Sequence, residues 1–317
     1  MATEVATPFE GSFATRGPGK TLLCSFEPSR DLSQAGTDPR RWSLTDLGYE
    51  QGKACSPFGV CEPFQLLNPI FVAQLKTELM GDAVQQNCRF STNRTPCCLR
   101  GVAEHSQLVN QLWTSEETTR RISEVVGTPL KPIFNYEKGI CNVQVPSDGD
   151  SKRNVDDWHT DSYPVVAIVL LSNPSPGGET CCMTTDGNEL PLQFPTAGSC
   201  IVLQGSAVKH CARRVLSENP VDARITMVTS YVPADPMAPD CSILRGPRTN
   251  SDLEVLYCQW AEYRLASLAS KVTTLSQGVA DTRRAKGRLT RIEVKDLQER
   301  CQEMMSFLSV TAQEMQF

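Results

Sequence analysis

Of the three histidines in the chain, at positions 105, 159 and 210, two fall among short β-type runs, and His159 has a carboxylate two residues on in "DDWHTDSYPVVAIVLL". With 36 acidic residues in 317, about one histidine in nine has an acid at that distance by chance, so the His159/Asp161 pair alone says little. The weight comes from "LQGSAVKHCARR" and "DARITMVTSYV". His210 follows after enough chain for two hairpins, and Arg224 opens a strand on which Thr226 shares its face, because strand side chains repeat every second residue. The same alternation is expected to set His159 and Asp161 on one face. Two imidazoles and one carboxylate can occupy one side of an octahedron, and its open positions suit non-haem Fe(II). Arg224 then needs an anion: its planar fork binds a carboxylate bidentately, and Thr226 adds a hydroxyl. A 2-oxo diacid fits both, with its keto oxygen and near carboxylate on the metal and its far carboxylate on Arg224.

Each residue also has an ordinary reading. A His/Asp pair at a strand edge is commonly a hydrogen-bonded surface pair, and an arginine is commonly a salt-bridge partner. In order, and on strands, they favour the metal site. In "GICNVQV", Asn142 and Gln144 share one face of a strand and Cys141, Val143 and Val145 the other, so the two amides are expected to line the cavity near the metal and cosubstrate. Tyr163 and Tyr136 are candidates for the substrate pocket, and His105 is expected at the surface. "ATRGPGKT" has the look of a phosphate-binding loop but lacks a strand before it and a long helix after it, so a Gly/Pro turn is expected.

The elements that must position these residues are legible in outline. Residues 1–60 are rich in Pro, Gly, Ser and charge and read as an extended lead-in. Helical spacing follows in "NPIFVAQLKTELM" and "SEETTRRISEVV", with Asn68 and Ser115 as N-caps and Pro69 in the first turn. From Lys131 to Pro233 short strands alternate with turns, and Asp186-Gly187 marks a hairpin between "ETCCMT" and "ELPLQF". Such a run without crossover helices indicates an antiparallel barrel or jelly roll. Residues 61–245 are thus expected to form the main domain, and 246–317 a helical hairpin packed on it. Capping boxes are expected at Ser251/Glu254 and Thr290/Glu293, with apolar seams through Cys258, Ala261, Leu265, Leu268, Val272 and Leu275, and through Val294, Leu297, Cys301, Met304 and Leu308. The polar segment Pro146–Asp157 joins the Asn142/Gln144 strand to His159 and is expected to be a mobile lid.

A net charge of -5 and a pI near 5.4 argue against a polyanion partner, which would require clustered Lys and Arg. Fourteen cysteines without CxxC spacing read as mostly buried thiols, not a zinc site or disulfide framework. Asn93-Arg94-Thr95 fits a glycosylation sequon, expected to be idle without a secretory signal. No N-terminal segment has the pattern of such a signal, and the longest aliphatic run, Val165–Leu171, is too short for a bilayer, so a cytoplasmic protein is expected.

"WHTDSYP", "GGET", "LQGSAVKH", "RITMVTSY" and, upstream, "YEKGICNVQ" resemble the Fe(II)/2-oxoglutarate-dependent oxygenases, in the version found in fungal secondary metabolism. The resemblance covers roughly residues 90–235, and no motif element is missing. It implies an α+β fold with a double-stranded β-helix (jelly-roll, cupin-like) core flanked by N- and C-terminal helices. It also implies His159, Asp161 and His210 as catalytic iron ligands, Arg224 with Thr226 on 2-oxoglutarate, dioxygen as oxidant and ascorbate as in vitro reductant. The expected substrate is a small molecule, with an amino-acid-derived one preferred, undergoing hydroxylation, desaturation or cyclisation. No nucleic acid or membrane partner is expected, and the chain would be a monomer or homodimer. The alternatives are a cupin-type metal enzyme without 2-oxoglutarate and a metal-free jelly-roll binding module.

Overall fold

The computed structural model describes residues 25–36, 38–52, 54–90, 97–144, 154–217 and 223–316. The glycine-rich stretch Ala14–Thr21, the sequon and residues 145–153 lie outside them. Among the described residues, fourteen strands form two antiparallel sheets. In chain order they are β1 Arg41–Ser43, β2 Phe58–Cys61, β3 Phe64–Gln65, β4 Arg89–Phe90, β5 Cys98–Leu99, β6 Leu130–Pro132, β7 Ile140–Gln144, β8 Asn154–His159, β9 Val165–Leu170, β10 Thr180–Met183, β11 Glu189–Leu192, β12 Ser199–Leu203, β13 His210–Arg213 and β14 Arg224–Pro233. The larger sheet runs β1-β2-β12-β9-β14-β7-β5-β4, with β3 also on β12 and β6 on β14; the smaller runs β11-β10-β13-β8. The helices are α1 Pro28–Asp31, α2 Pro69–Leu79, α3 Asp82–Asn87, α4 Val102–His105, α5 Gln107–Thr114, α6 Glu116–Val126, α7 Leu253–Lys286 and α8 Arg291–Gln313.

The strand β9 shows why the layers stack as they do. All six of its residues, VVAIVL, are buried, as a strand covered on both faces must be. Val165, Ala167 and Val169 point to the core shared with Phe71 and Leu75 of α2, Val109 and Trp113 of α5 and Ile122 of α6. Val166, Ile168 and Leu170 point the other way, to Cys182, Leu192 and Phe194 on the side of the smaller sheet. Helices therefore cover the outer face of the large sheet, and the two sheets face each other across a second core. Residues 41–60, which read as lead-in, supply β1 and nearly all of β2 to the edge of this large sheet, and Leu44, Leu47 and Val60 join the inter-sheet core. Strands of three or four residues are too short to show a period.

The local signals act as their chemistry requires. Asn68 Oδ1 accepts from the Phe71 amide at 2.8 Å and Ser115 Oγ from the Thr118 amide at 3.4 Å. The hairpin pairs Met183 with Glu189 around Gly187, whose φ of 86° suits a residue without Cβ. Thr290 and Glu293 form the expected capping box. At the start of α7 the expectation is corrected: Asp252, not Ser251, is the cap, and its carboxylate accepts from the amides of both Glu254 and Val255. The hairpin seam is corrected too. On α7 the buried residues are Leu256, Tyr257, Trp260 and Arg264, whereas Leu265 and Val272 are 52% and 51% exposed and Cys258 is exposed. On α8, Val294, Cys301 and Leu308 are likewise exposed, while Leu297 and Met304 are half-buried. The buried face is set by Trp260 and a charged residue, Arg264, which a search for apolar periodicity passes over.

The thirteen described cysteines are free thiols, most of them buried. His105 is exposed at the end of α4. No helix among the described residues is long and apolar enough to cross a membrane.

Candidate metal centre and its cavity

The strands β8 and β13 lie side by side in the smaller sheet with His159 directly opposite His210. Their rings sit 4.3 Å apart between centroids. Nδ1 of His159 is 2.7 Å from the Asp157 carbonyl oxygen and Nδ1 of His210 is 3.0 Å from that of Val208. A carbonyl only accepts, so both rings carry their proton on Nδ1 and turn the Nε2 lone pair inward. Burial, first of all, holds the His210 imidazole below its ordinary pKa, in the neutral form a metal ligand requires.

Asp161 completes the cluster, by a route other than strand alternation. The strand β8 ends at His159, and Asp161 lies in the irregular segment beyond it, its amide donating to the Gly205 carbonyl at 2.8 Å. Its carboxylate then stands 3.5 Å from His159 Nε2 and 3.4 Å from His210 Nε2. Gly205 allows this approach: a Cβ there would stand 2.2 Å from Asp161 Oδ2. Ligand atoms from the three residues lie within 4.8 Å of one another. Cis ligands bound at ~2.1 Å would be ~3.0 Å apart, so the donors fit an ion with little adjustment. Two nitrogens and one oxygen on one side suit divalent iron with positions to spare.

The cluster opens on a cavity of about 180 Å³ between the sheets, walled by Val166, Ile168 and Val228. At one end stands Arg224, 5% exposed. Its Nε donates to the Gly178 carbonyl (2.9 Å), Nη1 to Gln144 Oε1 (3.0 Å) and Thr226 Oγ1 (3.3 Å), and Nη2 to Thr180 Oγ1 (3.1 Å). All of these are neutral, and among the described residues no carboxylate forms an ion pair with it. Burial, only partly offset by the Asp156 and Glu179 carboxylates farther off, pulls its pKa down to about 10, which still leaves it charged at neutral pH. Register explains the grouping: Arg224 pairs with Gln144 and Thr226 with Asn142 across β14 and β7, and all four line the cavity. Thr180 and Gly178 were not legible as site residues. Their signal was "GGET", where the φ of 73° at Gly178 bends the chain beneath the guanidinium.

Tyr163 is 3% exposed and lines the opposite end. Tyr136 is buried behind it, its hydroxyl accepting from the Asp252 amide at 2.9 Å. Of the segment expected to be a lid, residues 146–153 lie outside the described residues. The remaining four, 154–157, are not loop but β8, paired with β13 through Asn154↔Arg213 and Asp156↔Ala212.

No family model matches the chain, and no curated protein matches it. Among solved structures it is similar to the non-haem α-ketoglutarate-dependent carbocyclase SnoK of nogalamycin biosynthesis (TM-score 0.47, 12% identity, 67% of this chain and 93% of that one). It is also similar to the α-ketoglutarate-dependent epimerase SnoN of the same biosynthesis (TM-score 0.45, 14% identity, 56% of this chain and 78% of that one). A third similar structure is HygX from Streptomyces hygroscopicus with nickel and 2-oxoglutarate bound (TM-score 0.37, 15% identity, 56% of this chain and 82% of that one).

Proposed function

We propose that the protein is a non-haem Fe(II)/2-oxoglutarate-dependent oxygenase, built on a double-stranded β-helix, that oxidises a C–H bond of a small molecule. The observation that carries this reading is Arg224. A buried guanidinium with only neutral partners is costly, and an anion at that end of the cavity offsets the cost. A metal enzyme without a 2-oxo acid has no use for it. His159 and His210, through Nε2, and Asp161, through its carboxylate, would hold the iron. When bound, the iron supplies the redox chemistry by which dioxygen and 2-oxoglutarate become succinate and carbon dioxide while the substrate is hydroxylated, desaturated or cyclised. Arg224 and Thr226 bind the far carboxylate of 2-oxoglutarate, Gln144 and Thr180 hold the guanidinium plane, and Asn142 faces the cosubstrate between them. Val166, Ile168 and Val228 keep water from the reacting carbon.

The test is anaerobic loading with Fe(II), then succinate release with 2-oxoglutarate, dioxygen, ascorbate and a panel of small molecules. The expected result is metal binding, succinate release, and loss of both in Asp161→Ala, His159→Ala and His210→Ala. Metal binding without 2-oxoglutarate binding would make the protein a cupin-type enzyme of another kind, and binding of neither would make it a binding module.

A further inference from the structure

At the end of the cavity away from Arg224 stands a second buried arginine. The strand β5 pairs with β7 through Cys98↔Asn142 and Leu99↔Cys141, which sets Arg100 beyond the Ile140 end of β7, while Arg224 is opposite Gln144. The two arginines are separated by four residue steps, about 13 Å along the strand. Arg100 is 5% exposed, is ion-paired to Glu137, itself 1% exposed, and lies over the ring of Tyr136. Both members of the pair line the cavity, as do Tyr163 and Asn250.

The pair is incompletely satisfied. Arg100 Nε, the Tyr163 hydroxyl and Asn250 Oδ1 are all buried, and none makes a close hydrogen bond among the described residues, although the Glu137 carboxylate stands near the Tyr163 hydroxyl. Arg100 Nε–H and Tyr163 O–H can donate to an acceptor in the cavity, and Asn250 Oδ1 and the Glu137 carboxylate, which line the same cavity, can accept from a donor. The charges of Arg100 and Glu137 cancel, so a bare anion gains little there, whereas a ligand with both a negative and a positive group meets both. The cavity, about 180 Å³, is below the ~300–1,000 Å³ of drug-sized pockets, which favours a small ligand.

Resting on the oxygenase reading, we infer that this end of the cavity is the substrate subsite and that the substrate is a free α-amino acid. Arg100 Nε and the Tyr163 hydroxyl take its carboxylate, Glu137 and Asn250 take its ammonium, and its side chain points at the metal.

The experiment uses the anaerobic Fe(II)-loaded protein. The charge-transfer absorption of the Fe(II)–2-oxoglutarate complex is recorded first, and then the twenty proteinogenic L-amino acids, their N-acetyl forms and their methyl esters are titrated in. The expected result is that at least one free amino acid shifts the band and accelerates succinate release, while its N-acetyl and ester forms bind tenfold more weakly or worse. Tyr163→Phe should weaken that amino acid about tenfold or more, leave the affinities for iron and 2-oxoglutarate unchanged, and change the melting temperature little, since the hydroxyl it deletes makes no close hydrogen bond. Glu137→Gln should narrow the gap between the free and N-acetyl forms. A band that no free amino acid perturbs, equal binding of the N-acetyl form, or an unchanged affinity in Tyr163→Phe would each overturn the subsite while leaving the oxygenase intact. Absence of the band itself would remove both.

Discussion

Two buried arginines, one on the cavity floor and one at the base of the helical hairpin, differ in a way that separates function from architecture. Arg264 on α7 is 1% exposed and donates to Asp240 (2.9 Å), Thr311 Oγ1 (3.0 Å) and the Phe307 carbonyl (3.1 Å), with its guanidinium between the rings of Trp260 and Phe307. Its charge is cancelled within the chain. Arg224 is also buried and hydrogen-bonded through all three nitrogens, but entirely by neutral groups. A charge balanced internally holds two elements together, and a charge left unbalanced in a cavity is a binding determinant. Arg100 lies between them, paired to Glu137 yet with Nε unmatched.

Replacing Arg264 and Arg224 in turn tests that contrast. Arg264→Ala leaves the Asp240 carboxylate, 8% exposed, without its ion-pair partner, and should lower unfolding free energy by about 3–5 kcal/mol. Denaturant unfolding measures this, and a loss below ~1 kcal/mol would erase the distinction between the two arginines. Arg224→Ala strands no carboxylate, so its stability should change far less, while the KM for 2-oxoglutarate rises by about 30-fold or more. Arg224→Lys should also be impaired, because an ammonium cannot replace the bidentate fork. A variant that unfolds with unchanged KM would place Arg224 with Arg264 as a scaffold residue.

A smaller effect is expected at Gly205. Adding a methyl group there displaces the Asp161 carboxylate by direct contact, so Gly205→Ala should lower metal affinity about tenfold, the range for residues that orient ligands. Titration of the apo protein with Fe(II) or Ni(II) reads this, and wild-type affinity would show that the carboxylate relaxes freely. The smallest change is expected for Val272→Ser. As a seam residue it would be costly, but at 51% exposure it should fall within about 0.5 kcal/mol of wild type.

These four positions also mark how far the sequence could be read. His159, Asp161, His210, Arg224, Thr226, Asn142 and Gln144 were named from residue type and strand spacing, and the structure brings all seven to one cavity. Caps at Asn68, Ser115 and Thr290 were legible because a cap is decided within four residues of chain. The cap at Asp252 was misplaced by one because Ser251 and Asp252 both can accept, and only the backbone entering α7 selects between them.

What the sequence determined by itself is local chemistry: which side chains can ligate, which strands alternate, where a helix can start. Those features depend on neighbours within a few bonds, so they survive without knowledge of the fold. Tertiary structure alone decided the rest. Asp161 reaches the histidines because its amide is tied to Gly205, far along the chain. Arg100 meets Glu137 and Tyr163, and Arg264 meets Asp240, across separations at which no periodic pattern links the partners. A pairing between opposite charges leaves no repeat in the sequence, and whether a buried charge is balanced or left over depends on which distant segment the fold lays against it.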